Sequence, residues 1–66
     1  VSLYAESIDE KSLAMMRRLL ISECARRGIK PESIEGEDLA LFLLRAFRAG
    51  WIEECELAVL LRNLID

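Results

Sequence analysis

Three observations predict an all-α fold of three short helices. Apolar residues recur at intervals of three and four through most of the chain, the signature of amphipathic helices. Gly28 and Gly50 each close such a stretch, with basic residues before them and a large apolar residue, Ile29 or Trp51, directly after. Acidic residues gather where the next helix should begin, and no run has the alternation of a strand. The expected helices cover about 8–27, 34–49 and 53–65, within one helical domain over 1–66 whose residues 1–6 form an N-terminal arm, and the bundle is completed by dimerisation.

Val1–Ala5 reads as an extended arm whose Leu3 and Tyr4 cover the bundle or reach a partner. The first helix starts between 7 and 10. Ser7 to Glu10 fits a capping box, while Asp9 as the cap sets Ile8 against Leu13 as a hydrophobic staple. Arg26 and Arg27 fall in its last turn, where cations oppose the negative helix end, and Gly28 followed by Ile29 supplies the stop. Leu13, Met16, Leu20 and Cys24 form its principal stripe. Ala14, Ile21 and Ala25 form a second, about 100° away, so that two contacts are expected.

Pro31 disfavours helical geometry at Lys30, which makes Lys30-Pro31-Glu32 a turn. Ser33 is then the natural cap of the second helix. Gly36 in its first turn costs about 1 kcal/mol relative to Ala and leaves the start open between 34 and 36. Residues 39–52 are the most apolar stretch of the chain. At 100° per residue Glu37, Asp38, Arg45 and Arg48 fall in one strip with Leu41 among them, and apolar side chains wrap roughly the remaining two-thirds of the circumference. After Gly50 the third helix opens on Glu53, Glu54 and Glu56 and carries Leu57, Leu60, Leu61 and Leu64 on one side, with Val59 pointing away.

A chain of 66 residues is short enough to be marginally stable alone, burying only about 60% of the surface its unfolded form exposes. Its 53% hydrophobic content argues against disorder and leaves apolar surface to cover. Two cysteines, Cys24 and Cys55, and no histidine supply neither a disulfide framework nor a zinc site. Both thiols are expected to be reduced core or interface residues in a cytoplasmic protein. No signal sequence precedes the fold, no run approaches the length of a membrane span, and a start on Val1 reads as a chain trimmed, partly disordered or excised from something longer.

The inventory of reactive groups is equally restrictive. Without His, a glycine-rich phosphate loop, or a Ser or Cys beside a general base, no catalytic, cofactor or metal site is expected. Glu53, Glu54 and Glu56 are explained by the positive helix end they sit on. Nucleic-acid binding would use Arg17, Arg18, Arg26 and Arg27 of the first helix, yet these scatter around its axis. Residues 1–33 carry six basic and five acidic groups, whereas 34–66 carry three and seven, so the helix after the Gly50 turn would present carboxylates to phosphates. Apolar surface is what remains. The expected function is therefore a protein-interaction module, an adaptor or a sequestering regulator, whose partner is a second copy of itself. Its interface is expected to use Leu41, Phe42, Leu44, Phe47, Trp51, Ile21 and Met15, the aromatic residues as anchors and Met15 as an adaptable contact.

Overall fold

The computed structural model describes residues 8–64, so the expected arm over 1–6 lies outside the described residues. Within them the chain forms α1 (Glu10–Arg27), α2 (Ile34–Arg48) and α3 (Glu54–Arg62), each packed against the other two. No strand occurs among the described residues.

Asp9 caps α1. Its carboxylate accepts the Ser12 amide at 3.0 Å, and Ser12, by its hydroxyl first and its amide second, holds the Asp9 carboxyl below the usual carboxylate range. Ile8, the residue before the cap, is buried in the position the staple requires. At the other end Gly28 is left-handed, with φ 73°, its amide donates to Ala25 O, and the Ile29 amide donates to Cys24 O at 2.9 Å. This is the glycine stop the sequence predicts. The same pair of bonds recurs after α2, where Gly50 donates to Phe47 O and Trp51 to Ala46 O at 3.0 Å.

The open question at Gly36 closes in favour of the longer helix. Ser33 accepts the Gly36 amide and donates its hydroxyl to Lys30 O at 2.6 Å, folding the 30–31 backbone onto the first turn of α2. A Cβ at position 36 would stand 2.3 Å from Pro31 O and 2.5 Å from Lys30 O. Glycine is there because two backbones touch. Gly36→Ala should therefore lower stability by about 1–3 kcal/mol, the usual range for overpacking, although alanine is the better helix former. Thermal melts followed by circular dichroism check the sign.

The third helix stops short of the expected residue 65: it ends at Arg62, with Asn63 as its cap. Against this end the Arg27 guanidinium of α1 donates to Leu61 O at 2.9 Å and Leu64 O at 2.6 Å, supplying partners to carbonyls that the helix itself leaves over.

The core gathers Ile8, Met15, Met16, Cys24, Leu39, Leu43, Leu57 and Leu61, with Leu13, Leu20, Phe42, Leu44 and Phe47 packed half-buried against it. The principal stripe of α1 faces it as expected. Its second contact does not fall where the sequence places it. Ala14, Ile21 and Ala25 stay exposed, and α3 packs instead on the opposite flank, by Leu19 and Glu23. Met15 is consequently core, and the adaptable surface contact expected of it is replaced by gap-filling against the bundle.

Candidate functional site

The surface that remains uncovered belongs mainly to α2 and its exit. Leu39 and Leu43 turn fully inward, while Phe42, Leu44 and Phe47 are covered on one side only. Leu41 is 43% exposed and Trp51, on the turn, 44%. Ala40, Phe42, Leu44, Ala46 and Phe47 are half-buried around the two inward leucines, and Leu41 stands outside that covered arc. Ile34 and Ile52 are exposed at the two ends of this region, Ile21 on α1 and Val59 on α3.

Between α1 and α2 lies an apolar groove of about 180 Å³, walled by Leu13, Met16 and Leu20 on one side and Ala40, Leu43 and Leu44 on the other, with Arg17 at its rim. Of the seven expected interface residues, Leu44 lines this groove. Ile21 and Leu41 stand on the faces of α1 and α2 that flank it, by their positions one residue after Leu20 and one after Ala40. Phe42, on the other side of α2, and Met15, in the core, do not share that surface, and Phe47 contributes only its uncovered edge.

A second cluster was not visible in the residue pattern alone. Glu23, one turn before the end of α1, is buried at 7% exposure, and its carboxylate takes three charged hydrogen bonds: from Arg26 Nε at 3.1 Å, Arg26 Nη2 at 2.6 Å and Arg27 Nε at 2.6 Å. The Arg26 guanidinium, reinforced by Arg27, holds the Glu23 carboxyl below the ordinary glutamate range against the opposing pull of burial. Through Arg27 the cluster reaches the carbonyls at the end of α3. It is a clasp joining the ends of two helices. The spacing of Glu23 with Arg26 and Arg27, three and four residues on, was the available signal. A hollow of about 170 Å³ beside it, lined by Leu19, Ser22, Glu23, Arg26, Ala58, Leu61 and Arg62, has the same two helices as walls.

The clasp bears on the basic residues of α1. Arg26 and Arg27 are committed to Glu23, and Arg18 stands 3.5 Å from Glu54 across an exposed pair with α3. Such a surface pair contributes little to stability. It does place a carboxylate beside the arginine, against a phosphate track.

The thiols part company. Cys24 is fully buried, and burial pushes its thiol up, away from the reactive thiolate. Cys55 is exposed in the first turn of α3, so that of the core or interface positions expected for the two cysteines Cys24 takes the core and Cys55 does not, and both thiols are free. The reason is rotational: Cys55 lies two residues before buried Leu57, on the solvent side of a helix whose inner stripe is Leu57 and Leu61. Among the described residues no group of three or more His, Cys, Asp or Glu side chains is placed to share a metal ion, and no helix is long and apolar enough to cross a membrane. Comparison with models of known protein families, with curated proteins and with solved structures finds no match to this chain.

Proposed function

We propose that this chain is a small protein–protein interaction module, without catalytic activity, that assembles as a symmetric homodimer and acts as an adaptor or a sequestering regulator in the cytoplasm. The observation that carries the reading is the exposure of Ile34 and Leu41 on α2 and of Trp51 on the turn after it, beside an apolar groove that Leu44 lines. Contiguous apolar surface on a small soluble fold marks an interaction site. Two-fold association is the commonest way to cover it. Free thiols at Cys24 and Cys55 suit a reducing compartment.

Binding to nucleic acid through α1 is the weaker reading, because three of its four arginines already face carboxylates of this chain. Light scattering after gel filtration at micromolar concentration tests the proposal. The expected mass is twice the 7.5 kDa of the chain. A 7.5 kDa species that binds no apolar dye would overturn it.

A further inference from the structure

Glu37, Leu41, Leu44 and Arg48 are spaced four, three and four residues apart on α2. At 100° per residue all four fall within about 60° of one another, on a stripe that faces away from Leu39 and Leu43. Glu37, Leu41 and Arg48 are exposed, and Leu44 is half-covered. The spacing is a palindrome. Read from either end the stripe runs charged, leucine, leucine, charged, with opposite charges at its two ends.

We infer that α2 packs antiparallel against α2 of a second copy, about a two-fold axis level with the midpoint of Leu41 and Leu44. This rests on the homodimer reading above and specifies its face, direction and register. In that register Leu41 of one copy meets Leu44 of the other, and Glu37 of each copy meets Arg48 of the other. Ile34, 77% exposed at the start of the helix, is brought toward Trp51 just past the end of the opposing one. The midpoint of positions 34 and 51 is the same as that of 41 and 44 and of 37 and 48, so the three pairings, each made twice, need one register and no adjustment.

Charge complementarity selects a second copy over an unrelated partner. An acidic helix start and a basic helix end are explained singly by the helix dipole. The dipole does not require that Glu37 and Arg48 share a stripe with two leucines, nor that their spacing be symmetric about them. An antiparallel pair uses both facts, and it also sets the two helix dipoles head to tail. A parallel pair would put Glu37 on Glu37 and Arg48 on Arg48 at the rim, where like charges disfavour association. Leu44 belongs to both the stripe and the groove, so the opposing helix also covers the groove's α2 wall, and the assembly is a four-helix arrangement of two α1–α2 hairpins. Arg48 has an interaction within its own chain as well, and a guanidinium has donors enough for more than one acceptor.

The test is a charge swap read by sedimentation. Glu37→Arg gives a chain with arginine at both ends of the stripe, and Arg48→Glu gives one with glutamate at both. Each alone repels its own copy, and its dimer dissociation constant should rise at least tenfold, which is about 1.4 kcal/mol. Mixed in equal amounts, the two variants should form a heterodimer whose affinity approaches that of the unaltered chain. Both reversals work against the helix dipole, so helicity by circular dichroism is matched first. Mixing leaves any dipole effect unchanged, so recovery on mixing belongs to the interface. Variants that dimerise like the parent would overturn this register and leave the homodimer standing. Variants that fall apart and do not recover when mixed would overturn it too. A parent chain that is itself monomeric would remove the homodimer reading underneath.

Discussion

Leu57→Ala should lower stability by about 3 kcal/mol and the melting temperature by roughly 15 °C, the scale set by buried leucine truncations and by the small unfolding entropy of a chain this short. Leu57 is fully buried, with Leu61 one turn on and also inside, on the face by which α3 meets the other two helices. Removing its branched end leaves a cavity that the three helices cannot close without shifting Leu61. For a domain with about 0.1 kcal/mol of stability per residue the loss is a large fraction of the whole. Val59→Ala, on the exposed side of the same helix, is the control and should stay within about 0.5 kcal/mol. Both melts need the same protein concentration, because association stabilises the folded chain by mass action.

Glu23→Ala is expected to cost about 2–3 kcal/mol, the range for withdrawing one charge from a buried, hydrogen-bonded pair. The substitution takes the carboxylate away from two guanidiniums and loosens the hold of Arg27 on Leu61 O and Leu64 O. Its pH dependence has a definite sign. The folded state keeps Glu23 ionised below the ordinary glutamate range, so the unfolded chain binds its proton first as pH falls. The contribution of Glu23 is therefore complete at neutral pH, declines once pH drops below about 4.5, and is gone below the folded value. Asp9 titrates in the same direction through its bond from Ser12. Glu23→Gln isolates the clasp, since Asp9 is common to both proteins. The stability gap between parent and variant should narrow as the solution is acidified from pH 6 to pH 3, and a gap independent of pH would remove the charge from the explanation.

The helices were legible because their signals are local. Asp9 and Ser33 as caps, Gly28 and Gly50 as stops, and the leucine stripe of α3 each depend on residues within a few positions of one another. What depended on distant segments was not legible. Gly36 reads as a weak helix former until the Lys30–Pro31 backbone is seen against it. Arg27 reads as a dipole partner for its own helix, and only the placement of α3 shows that it also binds carbonyls at the end of another. The same placement decided α1, where periodicity put the second contact at Ala14, Ile21 and Ala25 and α3 took the opposite flank, bearing Leu19 and Glu23.

The surface was partly legible for the same reason. Leu41 and Trp51 are exposed where the wheel of α2 and the turn at Gly50 put them, while Phe42, near the edge of the apolar arc, and Phe47, further inside it, are both half-buried. Leu41 stood out as a lone apolar residue in a polar strip. With Leu44, Glu37 and Arg48 it acquires a physical reason to be there.

Sedimentation equilibrium of the unaltered chain beside Leu41→Glu, from about 1 to 100 µM, is the most direct measurement. A buried charge opposite Leu44 is costly at an interface and harmless on a solvent-facing strip. The parent should sediment at twice 7.5 kDa over the upper part of that range, and Leu41→Glu at 7.5 kDa throughout with unchanged helicity. Equal masses for the two proteins, whether single or double, would contradict the assignment of this face to a second copy.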